Sequence, residues 1–287
     1  VLISPEFKAL WDRIKHKTTY RVQFDNEKLI TDCIKALQDA PTIAKARLQW
    51  RKANMAIGKA GVEATEKAGA DIVTLHESDI ELPDLLTELQ DRTQLTRKTI
   101  VRILTESSRL NDFKRNPQQF IEIAADAINR CKRHVLVDSI KYQRLGDDQF
   151  FAQELFETEE LSGYLKNMLA VGNKSVYDHV VWQSDVEKQF AEQLEHNNAV
   201  KVYAKLPSWF KVPTPLGNYN PDWAVLVATP EGDRLYFVVE TKSSLFTGDL
   251  RDRETDKIEC GKAHFAALSV MEPPAKYVVA RKLEDVI

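Results

Sequence analysis

The sequence predicts an α/β protein: a central mixed sheet flanked by helices over its last hundred or so residues, preceded by a mixed, mainly helical module. Three observations carry this. Several short runs alternate apolar and polar residues with the period of a strand, and longer capped runs repeat apolar residues at the helical spacing. Two strand-like runs, DWAVLVA (222–228) and RLYFVVETK (234–242), flank the turn-rich TPEGD and so pair as a hairpin. The 287 residues, 43% hydrophobic and 29% charged, exceed one compact core, so the chain is expected to divide near Ser175 into modules 1–175 and 176–287.

Taken in order, a short helix is expected from Glu6 to Ile14, a strand over Thr18–Phe24, and a helix from Asn26 to about Gln38 entered through Asp25 as cap. Ala44, Ala46, Leu48 and Trp50 alternate with polar residues, which predicts a strand over Ala44–Arg51. Two helices joined by a short turn follow between Pro83 and Ser107, the second capped by Thr96. This segment, 84–107, resembles a helix-turn-helix ringed by Arg92, Arg97, Lys98, Arg102, Arg109, Lys114 and Arg115. A phosphate-facing surface is one use of such a ring; a solvated face on a structural hairpin is the commoner one. A longer helix is expected from Pro117 to about Arg144, with Phe120, Ile121, Ala124, Ile128 and Cys131 as core.

Composition excludes several classes. No apolar run approaches the ~20 residues that span a bilayer, and the opening VLISPEFKALWDRIKHK lacks the layout of a signal peptide, so a cytoplasmic protein is expected. Beginning on Val, the chain is expected to be a fragment whose missing part lies on the N-terminal side. Cys33, Cys131 and Cys260 lie too far apart for a zinc or disulfide pattern. A net charge of -3 argues against an indiscriminate polycation coating nucleic acid.

The chemistry lies further on. SDVEKQFAEQLEH begins like a capped helix, with Ser184 as cap, Glu187 at the capping-box position and Val186, Phe190 and Leu194 as its apolar stripe. A strand over Val200–Lys205 precedes the loop PSWFKVPTPLGNYNP and the hairpin. Folded about Glu231, opposed residue numbers sum to 462, so Asp222 faces Glu240, and Lys242 shares the face of Glu240. Two carboxylates that close repel unless a cation joins them, and Mg²⁺ accepts one or two protein oxygens while keeping water and phosphate. With an ammonium beside it, the arrangement suits metal-assisted hydrolysis of a phosphodiester. A chance surface ion pair would look the same at either half of the motif; the combination across one hairpin is what favours chemistry.

Pro221-Asp222 with Glu240-Thr241-Lys242 resembles the PD-(D/E)XK nuclease superfamily, and the order helix, three strands, helix (about Arg251 to Leu268) and final strand (near Tyr277 to Ala280) agrees. DVEKQFAEQLE, VKVYAKLPSWFKVPTPLGNYNPDWAVL and YFVVETKSS resemble, more narrowly, the C-terminal endonuclease region of the restriction (Res) subunit of Type III restriction-modification enzymes, and QLTRKTIVRIL and FKRNPQQFI extend the likeness upstream. The resemblance implies a restriction-endonuclease-like fold and hydrolysis of double-stranded DNA. It implies Asp222 and Glu240 as Mg²⁺ ligands (Mn²⁺ substituting), Lys242 as the catalytic lysine and Glu187 as an auxiliary ligand. For Glu187 a purely capping role stays equally open.

Tyr219, Asn220, Lys205 and Lys211 are candidates for DNA contact, although loop packing or a solvated face is the more ordinary role. Trp209, Phe210 and Trp223 could stack on bases but are more ordinarily core. The family further implies a helicase-type ATPase portion and a modification (Mod) methyltransferase subunit. No GxxxxGK[ST] phosphate loop occurs here, so ATP would act only through that portion, absent from this chain. Two alternatives stay open: a non-catalytic DNA- or protein-binding module on a nuclease-like scaffold, and another nuclease of the superfamily, such as a repair or junction-resolving enzyme.

Overall fold

The computed structural model describes residues 1–50, 53–58, 61–66, 71–75, 80–156, 167–230, 232, 234–241 and 248–287. In chain order the elements are α1 (Pro5–Ile14), β1 (Thr18–Val22), α2 (Asn26–Gln38), β2 (Arg47–Trp50), β3 (Ala53–Gly58), β4 (Gly61–Glu66), β5 (Asp71–Thr74), α3 (Leu85–Thr93), α4 (Arg97–Ser107), α5 (Leu110–Arg115) and α6 (Pro117–Asp138). There follow β6 (Ile140–Arg144), β7 (Met168–Ala170), β8 (His179–Val181), α7 (Asp185–His196), β9 (Val200–Lys205), β10 (Trp223–Ala228), β11 (Arg234–Thr241), α8 (Gly248–Leu268) and β12 (Ala275–Ala280).

The chain forms two compact units, Val1–Phe24 with Leu136–Ile287, and Asp25–Val135. The sequence suggested one cut near Ser175. In the structure Val1–Phe24 and the chain from Leu136 onward form one unit with the C-terminal sheet. There α1 packs on that sheet, β6 lies against α8, and β1 pairs antiparallel with β6, from Thr18↔Arg144 to Val22↔Ile140. That pairing also corrects the long helix: α6 stops at Asp138, and Ile140–Arg144 is a strand whose Tyr142 is buried and donates to the Pro213 carbonyl at 2.7 Å. Helical spacing runs unbroken into this segment. The partner that makes it a strand lies some hundred and twenty residues earlier, where local periodicity cannot find it.

Within Asp25–Val135, α2, α3, α4, α5 and α6 share one core that includes Leu29, Leu37, Leu89, Ile100, Leu104 and Ile128. Asp25 caps α2 by accepting from Glu27 and Lys28 N–H (3.0 Å each), and Thr96 caps α4, as the sequence indicates. Gln94, left-handed at φ 58°, ends α3. The basic ring around this hairpin is largely spent inside the unit. Arg92 pairs with Glu88, Arg97 bonds Gln90 and Thr87, and Arg102 bonds Glu27 and Glu106. Arg109 binds Asp112 and the Leu37, Ala40 and Pro41 carbonyls. Those bonds tie helices to one another, which favours the structural hairpin. The expected strand Ala44–Arg51 is shorter, Arg47–Trp50, and pairs with β5; Arg51 lies outside the described residues.

In the other unit four strands form a mixed sheet in the order β12-β11-β10-β9. β10 is antiparallel to both β11 and β9, and β11 runs parallel to β12. Parallel neighbours need a crossover, and α8 supplies it. Both faces are covered, so β10 reads WAVLVA, apolar at successive positions rather than alternating. Ala224, Leu226 and Val238 pack with Phe265 of α8 and with Phe7, Leu10 and Trp11 of α1. Trp223, Val225 and Val239 pack on the other face with Phe190 and Leu194 of α7. Trp209, Phe210 and Trp223 belong to these packed layers, Phe210 and Trp223 fully buried. No helix among the described residues is long and apolar enough to cross a membrane.

Candidate active site

The observed hairpin register is Trp223↔Val239 and Ala224↔Val238, the pairing sum expected from the sequence; Glu231 itself lies outside the described residues. Asp222, the residue before β10, and Glu240, near the end of β11, are therefore brought to one end of the sheet. Asp222 is anchored at both of its ends. Its carbonyl accepts the Leu206 N–H at 2.8 Å, and its Oδ2 accepts the Thr241 N–H at 2.7 Å and the Thr241 hydroxyl at 2.6 Å. Glu240 Oε2 accepts the Tyr219 hydroxyl at 2.5 Å, and that hydroxyl is hydrogen-bonded in turn to Tyr277 of β12.

The loop between β9 and β10 fixes Tyr219. Val212 and Tyr219 exchange backbone hydrogen bonds at 2.7 and 2.9 Å, and the Thr214 hydroxyl donates to the Gly217 carbonyl at 2.5 Å across a turn in which Gly217 takes φ 99°. Asn220 Nδ2 donates to the Pro207 and Phe210 carbonyls at 3.2 and 2.9 Å. Tyr219 is 3% exposed, so of these two candidates for DNA contact it serves Glu240 and Asn220 staples the loop.

Glu187 lies in the first turn of α7. Ser184 Oγ accepts its N–H, and its Oε2 accepts the Gln183 N–H at 3.1 Å, one residue ahead of the expected capping-box partner. The same oxygen holds the ammonium of Lys205, which also donates to the Val181 carbonyl at 2.8 Å. Glu187 is thus both a cap and a partner for Lys205, and Lys205 is engaged within the protein while Lys211 is exposed. Lys242 lies outside the described residues.

The electrostatics favour a cation. Burial drives the Asp222 carboxyl above its ordinary range; the two Thr241 hydrogen bonds oppose this, Glu187 adds to it and Lys205 opposes it. Burial raises Glu240 as well, the Asp222 charge next, with the Tyr219 hydrogen bond pulling back. Two carboxyls that resist ionising together form a hard-oxygen donor pair suited to Mg²⁺, which takes one or two protein carboxylates and completes its shell from water and phosphate. Among the described residues no group of three or more His, Cys, Asp or Glu is placed to hold a metal ion.

Sequence reasoning missed Thr241 and Tyr277. Thr241 is the middle residue of Glu-Thr-Lys; the alternation of a strand assigns it to the face away from Glu240, so the register alone does not announce its bonds to Asp222. Tyr277 depends on the parallel pairing Val238↔Tyr277, which no local pattern announces.

Residues 173–283, which include α7, the four strands of the mixed sheet and both carboxylates, match the family described as an endonuclease domain. The more particular likeness is to Type III restriction-modification Res subunits. Over 96 residues the chain is 35% identical to the EcoPI Res subunit of Escherichia phage P1 and to the EcoP15I Res subunit of Escherichia coli, covering 33% of this chain and 10% of each relative. The aligned segment thus spans about a tenth of the length of these relatives. No solved structure matches the chain.

Proposed function

We propose that residues 176–287, within the unit Val1–Phe24 with Leu136–Ile287, carry the active site of a Mg²⁺-dependent endonuclease of PD-(D/E)XK type that hydrolyses phosphodiester bonds of double-stranded DNA, as part of a Type III Res subunit. The observation that carries the reading is the meeting of Asp222 and Glu240 at one sheet end, each held by a dedicated hydroxyl, inside the stretch that matches an endonuclease domain. Asp222 and Glu240 are the residues that would hold Mg²⁺, and the chemistry supplied there would be charge compensation, acidification of water and polarisation of phosphate. Asp222, fixed by Thr241, and Glu240, fixed by Tyr219, present oxygens in a set orientation, and burial holds both carboxyls above their ordinary range, a penalty that a cation would relieve. Lys242, two residues beyond Glu240, is the residue assigned to stabilise charge developing on the phosphate. Glu187 keeps Lys205 in place beside Asp222. On the same reading ATP, a helicase portion and a Mod subunit act from outside this chain and deliver the DNA.

The test is nicking of supercoiled plasmid with Mg²⁺ or Mn²⁺, with Asp222→Asn, Lys242→Ala and EDTA run alongside, on the purified chain and on the assembly reconstituted with its Mod and helicase portions. Metal-dependent nicking lost in both variants supports the reading. Nicking by the assembly that either variant leaves undiminished defeats the site assignment.

A further inference from the structure

We propose that Tyr219 and Tyr277, seated against Gly261 of α8, are positioning residues that orient Glu240 for the divalent cation; the proposal rests on the nuclease reading above. A phenol carries one proton. Since the Tyr219 hydroxyl gives its proton to Glu240 Oε2 at 2.5 Å, the hydrogen bond between the two tyrosines must be donated by Tyr277 to the Tyr219 oxygen. The result is a directed chain, Tyr277 to Tyr219 to Glu240, in which each bond polarises the next. It ends on one oxygen of Glu240, whose backbone is fixed by its pairing with Val279 of β12.

The surroundings are built for this pair. Tyr219 is 3% exposed, and its loop is locked by the Val212 exchange on one side and the Asn220 staple on the other. The Tyr277 ring stacks on Phe265 with centroids 5.6 Å apart and planes 13° from parallel. Gly261 lies inside α8, where glycine costs about 1 kcal/mol against alanine, so its presence asks for a reason. A Cβ there would stand 2.6 Å from Tyr219 Cε1 and 3.3 Å from Tyr277 Cε2. The helix therefore yields its side chain at a point where both rings pass. A tyrosine that served packing alone would need neither a hydroxyl aimed at a carboxylate nor a second hydroxyl behind it.

Hydrogen-bond partners of metal-ligating groups commonly set metal affinity by 10–100-fold. The experiment is Mn²⁺ titration of the full chain followed by loss of the free-ion EPR signal, for the unaltered protein, Tyr219→Phe, Tyr277→Phe and Asp222→Asn, with thermal midpoints recorded in EDTA. Tyr219→Phe, which keeps the ring, should weaken Mn²⁺ binding about tenfold with a near-unchanged midpoint, and Tyr277→Phe should weaken it less and in the same direction. In the active assembly the Tyr219→Phe defect should shrink as Mn²⁺ is raised to saturation. If Asp222→Asn abolishes binding while both phenylalanine variants bind like the unaltered protein, the tyrosines are packing residues and this proposal fails alone. If the unaltered chain binds no Mn²⁺, the nuclease reading and this proposal fall together. Should Tyr219→Phe not fold, Tyr277→Phe decides by the same criterion.

Discussion

Asp222 and Glu240 are each pushed toward the protonated form, first by burial and then by neighbouring carboxylates, while hydrogen bonds from Thr241 and Tyr219 pull the other way. A carboxyl whose pKa is raised by folding holds its proton where the unfolded chain has lost it. The folded state then binds more protons, and stability falls as pH rises from about 4 through the raised values. At neutral pH without metal the pair is a cost. Asp222→Asn should accordingly raise stability in EDTA, by on the order of 1 kcal/mol after allowing for partial solvent access, while removing the rise in midpoint that Mn²⁺ gives the unaltered protein. A lower midpoint in EDTA would mean that the Thr241 hydrogen bonds outweigh the repulsion. His264 has the opposite sign. Its pKa is pushed down to about 3 by burial, with Nδ1 2.8 Å from the Thr18 hydroxyl and no hydrogen-bond partner for Nε2 among the described residues. The unfolded chain takes up that proton below its ordinary 6.5, so stability is full above 6.5 and declines by up to about 1.4 kcal/mol per pH unit as pH falls. The two carboxyls slope the other way over this range, so the His264 part should appear as the difference between the urea midpoints of the unaltered protein and of His264→Gln, changing in this direction from pH 7 to 6 to 5.

At the scale of elements, what was legible in the sequence is what short range decides. Ser184, Asp25 and Thr96 sit at helix starts because a side-chain oxygen one turn from unpaired N–H groups is a local signal. That Asp222 and Glu240 lie at one end of the sheet was legible because a two-residue period and a turn of known place leave one register. The hairpin β3–β4, the strands β7 and β8 and the end of α6 were not expected: the first two lack strong alternation, and the last is decided by β1. Tyr219 was legible as a residue of the site but not in its role, since its partners Tyr277 and Gly261 come from β12 and α8, beyond a crossover. Gly261→Ala puts two local and non-local terms in opposition. Helix propensity favours alanine by about 1 kcal/mol, whereas a methyl 2.6 Å from the Tyr219 ring forces displacement that typically costs about 1–3 kcal/mol. Urea denaturation should show net loss, accompanied by weaker Mn²⁺ binding. A gain in stability would mean that Tyr219 moves aside freely and is not held in place by its loop.

Across the whole molecule the organisation is that of one unit interrupted by another. The chain leaves at Phe24 and re-enters at Leu136, and within the unit it leaves, Gln23 N–H donates to the Ser139 carbonyl just beyond the Val22↔Ile140 pair, so departure and return are neighbours. Domains are commonly inserted at such closely spaced surface points, because the host fold needs no change to admit them. Each unit has its own buried core, and multi-unit chains generally do not unfold in a single step. Calorimetry should therefore resolve two transitions. Ile128→Ala, a cavity in the core of Asp25–Val135, should cost about 2–5 kcal/mol in one of them and leave the other in place. On the proposed reading Mn²⁺ would bind only the folded form of the Asp222–Glu240 site, so it should raise the transition that Ile128→Ala leaves alone and none other. Trp223→Ala, which empties a fully buried position between β10 and α7, should lower that metal-sensitive transition by about 3–5 kcal/mol. A single transition that moves as a whole under Ile128→Ala, Trp223→Ala and Mn²⁺ alike would mean that the two cores stand or fall together, and that the inserted unit stabilises the site it interrupts.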